Sequence, residues 1–193
     1  MEKYENLSLE ELLRLTHDKG AWYWTGMAYW ESNDFDNAVV WLEKTMNDPG
    51  NEWAGKARFN LALSHKGGLH PRASKDEALR LLEKNLNGPM SNLYAGFLYF
   101  EGTETKKDLA KGKELIEKAI EIMIKKAGND NYFSQSECYD IGWMYYTENN
   151  PKAYKWFDEC IARCDENYAS DRRLVDMANR NKDVLRRDGV KEA

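Results

Sequence analysis

The sequence predicts an all-α protein, an α-solenoid of about four helical hairpins with a capping helix at each end. Four stretches align with one another, starting at residues 26, 61, 96 and 142. Within each, apolar residues fall at i, i+3, i+4 and i+7, the spacing of one helix face. Only four prolines occur in 193 residues, and no β-branched runs, which argues against an all-β fold.

Residues 8–18 form the opening helix. Ser8 with Glu11 three positions on is a capping-box pattern, and Leu9, Leu12, Leu13 and Thr16 line its inner face. Four hairpins follow at about 20–47, 52–87, 89–127 and 133–165, punctuated by Gly50, Gly88 and Gly128. Their aligned segments read GMAYWESNDFDNAVVWLEK, LALSHKGGLHPRASKDEALRLLEK, GFLYFEGTETKKDLAKGKELIEK and GWMYYTENNPKAYKWFDEC. Tyr29, Ser64, Tyr99 and Tyr145 stand three positions into each. A polar turn follows, then a small residue (Ala38, Ala78, Gly112, Ala153), and three positions on Trp41, Leu81, Leu115 or Trp156. The starting points are 35, 35 and 46 residues apart. An overlong second helix in hairpin three and the connection 129–133 carry the longer interval. Pro151 falls where a first helical turn tolerates proline. Residues 170–188 close the chain, with Ser170 as N-cap and Leu174, Met177, Ala178, Val184 and Leu185 inward. Such end caps keep a stacked array soluble, and 1–193 is expected to be a single repeat domain.

Gly26, Gly96 and Gly142 interrupt helical patterns, where glycine costs about 1 kcal/mol against alanine. Three in one register imply close helix–helix approach. The small residues at Ala38, Ala78, Gly112 and Ala153 are the matching positions on the second helix.

This pattern resembles the tetratricopeptide repeat and its longer-looped relative, the Sel-one-like repeat. The third unit is most similar to the latter, through Gly96, Tyr99, Gly102, Asp108 and Gly112, although alanine is more usual at position 112. The second unit departs, with Leu61 and Ser64 in place of Gly and Tyr and a loop one residue longer. The first and fourth have the short turns of tetratricopeptide units. The resemblance covers 20–165. It implies an adaptor in signalling or complex assembly, with the first helix of each hairpin lining a concave face.

Charge and targeting signals narrow the function. Lys+Arg 28 against Asp+Glu 33 gives a net charge of -5, no electrostatic reason to bind nucleic acid or an anionic membrane. Arg172, Arg173, Arg180, Arg186 and Arg187 are interleaved with Asp171, Asp176, Asp183 and Asp188, so that stretch nearly cancels. The opening MEKYENLSLEELLRLTHDKG lacks the unbroken apolar core of a signal peptide. No window has the composition of a membrane helix. Cys138, Cys160 and Cys164 are odd in number and suit reduced thiols in a cytoplasmic protein.

No catalytic, metal or cofactor site is expected. Gly67-Gly68 reads as an inter-helix turn rather than a phosphate loop. His65 and His70 are five apart with no cysteine nearby, whereas zinc needs four convergent ligands. His65 reads as a polar residue facing the groove and His17 as an exposed helix end. Cys160 and Cys164 share a helix face and, with Cys138, read as small buried hydrophobes. Glu43-Lys44 and Glu117-Lys118 read as solvated faces.

The concave stripe is expected three before, one after and four after each starting residue. That gives Tyr23, Met27 and Trp30; Arg58, Ala62 and His65; Leu93, Phe97 and Phe100; Tyr139, Trp143 and Tyr146. So apolar an open surface marks an interaction site, suited to an extended or helical peptide with aromatic and Arg anchors. The competing reading is that curvature or the terminal helices bury the stripe as ordinary core. The Lys and Asn grid with which the resembled family reads a terminal carboxylate is unmatched, since Tyr23, Met27, Arg58 and Ala62 stand there. The expectation is a non-enzymatic module with a protein or peptide partner and no cofactor. Two alternatives stay open: a small hydrophobic ligand in the same groove, and self-association as a homo-oligomer.

Overall fold

The computed structural model describes residues 3–127, 133–165 and 167–192. Among them are ten helices and no strand. The chain forms two compact units, Met1–Leu115 and Ile116–Ala193. No helix among the described residues is long and apolar enough to cross a membrane.

The first unit opens with α1 (Leu9–Arg14), where Ser8 and Glu11 cap one another reciprocally. α1 is shorter than 8–18 because Asp18 is needed as the N-cap of α2 (Lys19–Glu31), accepting from Gly20 N–H at 3.1 Å. Only Leu12 of its apolar residues is fully buried, and Leu13 is exposed rather than inward. α2 folds back on α3 (Phe35–Met46), α4 (Ala54–Lys66) on α5 (Lys75–Glu83), and α3 and α5 pack on the helices that follow them. α6 (Pro89–Glu101) leads to the first turns of α7 (Leu109–Ala127). Val39, Leu42, Leu61, Leu79, Leu82 and Leu98 fill the core between them. Each such side chain contributes about 1.5–3 kcal/mol when fully buried.

The small residues do the packing expected of them. A Cβ on Gly26 would lie 3.0 Å from the Leu42 side chain. On Gly112 it would lie 2.7 Å from Phe100 N and 2.8 Å from Gly96 O. The alanine usual in the resembled repeat is therefore sterically excluded here.

The turns share one device. Asp34 N–H donates to Tyr29 C=O at 2.9 Å and Leu69 N–H to Ser64 C=O at 3.1 Å. Each closes a six-residue ring around a left-handed residue, Asn33 (φ 62) or Gly68 (φ 66). This is the Schellman arrangement, which satisfies the last carbonyls of a helix. In the longer third loop Gly102 (φ 100) takes the left-handed position, and Asp108 N–H reaches Tyr99 C=O at 2.9 Å. The repeated Tyr or Ser thus also marks a fixed backbone acceptor.

The second unit contains the rest of α7, α8 (Gln135–Tyr146), α9 (Lys152–Arg163) and α10 (Ala169–Arg187). Ser134 and Glu137 form a second capping box at the start of α8. A Cβ on Gly142 would meet the Phe157 ring at 2.7 Å, which explains glycine there. The same turn recurs, with Asn149 at φ 52 and Asn150 N–H donating to Tyr145 C=O at 3.0 Å. Pro151 stands at the N-cap of α9, just ahead of its first turn. α10 packs on α8 and α9, burying Ala178 and Leu185, while Leu174, Met177 and Val184 are half-buried. Its N-cap is Tyr168 rather than Ser170. The helix starts earlier because Asp171 turns inward and accepts from Asp165 N–H at 2.9 Å, tying down the preceding turn. Gly128 and residues 129–132 of the connection lie outside the described residues.

Candidate functional site

In the first unit, Tyr23, Ala62, His65, Leu93, Phe97 and Phe100 are buried, and Met27, Trp30 and Arg58 half-buried. These helices also wall a cleft of about 620 Å³ lined by Tyr23 from α2, Phe59 and Asn60 from α4, and Pro89–Ser91 at the start of α6. The Phe59 ring meets Tyr94 edge-on at 5.9 Å, and Tyr94 stands perpendicular on buried Phe97 at 6.1 Å. Phe59 and Tyr94 occupy the place expected of Arg58 and Leu93, one residue and about 100° further round the helix. The reason is legible in α6 itself. It is apolar on every side, and an all-round apolar helix is a buried one; between Ser91 and Phe100 only Tyr94 escapes full burial.

The cleft is polar as well as aromatic. Asn60 Nδ2 donates to the Tyr23 hydroxyl at 3.1 Å and meets Met27 Sδ at 2.9 Å. Tyr23 stacks on Trp53 at 5.2 Å, and burial raises its hydroxyl above the ordinary range. Lys56 Nζ lies 4.5 Å from the Trp53 ring centre and Lys66 Nζ 5.7 Å from that of Tyr94. Gly88 and Pro89–Ser91 line the cleft, so the positive end of α6 borders it.

In the second unit Trp143 is 37% exposed. Tyr139 and Tyr146 are half-buried and lean on Phe157, at 5.7 and 6.4 Å. Asn181 Nδ2 donates to the Tyr139 hydroxyl at 3.2 Å.

Three further clusters were not read from the sequence. The Tyr99 hydroxyl donates to Glu83, a residue of the preceding hairpin, and accepts from Lys111 Nζ at 2.7 Å. Tyr145 donates to Glu117 in the same manner at 3.1 Å. The signal was present, since Glu43, Glu83 and Glu117 each precede a lysine in one register. In the second hairpin Ser64 replaces the tyrosine, its buried hydroxyl has no partner among the described residues, and Glu43 pairs with Arg72 at 3.4 Å.

Beside Ser64, His65 is buried and packs perpendicular to His70 at 4.6 Å, rather than facing a groove. His65 Nδ1 accepts from Ser74 N–H at 3.3 Å. Burial lowers both imidazole pKa values. His17 is exposed.

Glu104, in the loop between α6 and α7, accepts from Lys75 N–H at 2.9 Å and Asp76 N–H at 2.7 Å, at the start of α5. Thr103 donates to the Asp76 carboxylate from the same loop.

Cys138 and Cys160 are buried and Cys164 is half-buried, all as thiols rather than disulfides. Burial, with the neighbouring thiols, pushes Cys160 up to about 12. Among the described residues no group of three or more His, Cys, Asp or Glu is placed to hold a metal ion.

Comparison with known proteins gives the fold. No protein-family model matches the sequence, and no curated protein matches it. Solved structures do. One is c5321, a protective antigen of uropathogenic Escherichia coli displaying an SLR fold, at 20% identity and TM-score 0.58, covering 83% of this chain and 34% of that one. Another is a Sel1 repeat protein from Oxalobacter formigenes, at 20% identity and TM-score 0.52, covering 81% and 67%. The chain therefore has the Sel1-like repeat fold, and spans about a third of the length of the Escherichia coli antigen.

Proposed function

We propose that this protein is a non-enzymatic interaction module, an adaptor or scaffold that holds a partner's peptide or helix on the first helices of its hairpins. The observation that carries the reading is the cleft walled by α2, α4 and α6. In the first unit the binding face comprises Tyr23, Phe59 and Asn60, with Met27, Trp30 and Tyr94 beside them. Phe97 supports Tyr94 from beneath, its ring perpendicular at 6.1 Å. Tyr139, Trp143 and Tyr146 form the corresponding stretch of α8. Rings supply anchors, and the Asn60 amide and Lys56 supply polar contacts to a peptide backbone or an acidic side chain. Three cysteines held as thiols rather than disulfides suit a reducing, cytoplasmic setting.

Panning the purified protein against a random-peptide phage library tests this. One apolar consensus should enrich, and Phe59→Glu should weaken its binding at least about tenfold with an unchanged circular dichroism spectrum. No consensus, or one that binds the variant equally well, removes the proposal.

A further inference from the structure

We infer that the second unit carries a separate site for a small amphiphilic carboxylate, in a cavity of about 510 Å³ between α7 and the first half of α9. Small-molecule sites occur in the range of about 300–1,000 Å³, apolar with a few placed polar groups. Here the floor is hydrocarbon. Ile120 and Ile124 stand one turn apart on α7 and share the cavity with Trp156, Tyr145 and Tyr154. Both phenols are directed to the protein, Tyr145 to Glu117 at 3.1 Å and Tyr154 to the Val190 carbonyl at 2.9 Å. The tyrosines therefore contribute rings to the cavity.

Four charged side chains line its wall, Lys152, Lys155, Asp158 and Glu192. Asp158 and Glu192 both pair with Lys182, and Glu192 also with Arg186 at 3.6 Å. Their negative charge is thus largely offset within the protein by Lys182 and Arg186. Lys152 has no ion pair among the described residues, and its ammonium lies 5.4 Å from the Tyr145 ring centre at the cavity wall. A ligand complementary to this site has an anionic head for Lys152 and a hydrocarbon body for Ile120, Ile124 and Trp156. A cation would meet Lys152 unfavourably, and an uncharged chain would leave the ammonium without a counterion.

Decanoate, below its micelle concentration, is the probe. Calorimetric titration of the full chain should give one saturable event. Amide shifts should centre on Ile120, Ile124 and residues 152–158. Lys152→Glu, a surface change that leaves the fold intact, should weaken binding about fivefold or more, as should replacing decanoate by decanol. Ile124→Trp, which fills the cavity, should abolish it. Absence of saturable binding, unaltered affinity of Lys152→Glu, or shifts confined to the α2–α4–α6 cleft would overturn the assignment.

Discussion

The Glu104 carboxylate accepts the Asp76 N–H at 2.7 Å, so a loop of the third hairpin caps a helix of the second. Backbone N–H groups hold Glu104 below the ordinary carboxylate range. A group so depressed stabilises the fold above its unfolded value and loses that effect as pH falls through its folded value. Glu104→Gln should lower the thermal midpoint at neutral pH, and the difference should shrink once the wild-type carboxylate is protonated. Equal midpoints at neutral pH would show that the capping contact is idle.

Gly112 predicts a second outcome. The clash of a Cβ there is with backbone, Phe100 N and Gly96 O, and no side chain can swing aside to relieve it. Gly112→Ala should destabilise by about 1–3 kcal/mol, the range for overpacking. Gly55, in α4, has open space at its Cβ position. Gly55→Ala should be neutral or stabilise by up to about 1 kcal/mol. Paired urea melts decide, and equal effects of the two substitutions would refute the close-approach argument.

The His65–His70 pair makes stability depend on pH. Burial lowers both pKa values most; Arg72 lowers them further, and the His70 charge lowers that of His65. The carboxylates Glu77 and Glu43 oppose this at His65, and Asp36 and Glu43 at His70. Below the ordinary value of 6.5 the unfolded chain binds protons that the folded one resists, so stability falls with pH and levels off only below the folded values. Protonation at His65 Nδ1 also removes the acceptor for Ser74 N–H. Urea midpoints measured from about pH 8 to pH 5 should decline, and the double change His65→Gln, His70→Gln should flatten the decline. An equally steep double variant would assign it elsewhere.

The thiols give a fourth test. Cys160 is buried and pushed up to about 12, and Cys164 is also raised by burial. Reaction requires the thiolate. A chromogenic disulfide reagent should therefore label the native protein slowly, reaching Cys164 first, and label all three cysteines at once in denaturant. Rapid native labelling of Cys160 would contradict the packing of α9.

Much of this architecture was legible. Periodicity and the recurring small residues placed both helices of every hairpin, because close packing demands glycine or alanine at fixed positions such as Gly26 and Gly142. The capping box at Ser8 was a local signal and could be read directly. The open face was harder. Which side of α4 meets solvent depends on the curvature of neighbouring helices, so Phe59 rather than Arg58 reaches the cleft. The left-handed Asn33 and Asn149 were hidden because asparagine is also an ordinary turn residue. Glu104 could not be found at all, since its partners Lys75 and Asp76 lie nearly thirty positions upstream.

Ser64 has a consequence for how the first unit comes apart. Elsewhere a phenol stitches a hairpin to the glutamate of its predecessor, as Tyr99 does to Glu83. At Ser64 that stitch is missing and a hydroxyl is sealed in without a mate among the described residues. In stacked arrays the joints between neighbours carry the cooperativity. The seam between the first and second hairpins thus rests on other joints, the Tyr23–Trp53 stack and the Asn60–Tyr23 bond, and should open only when those are undone.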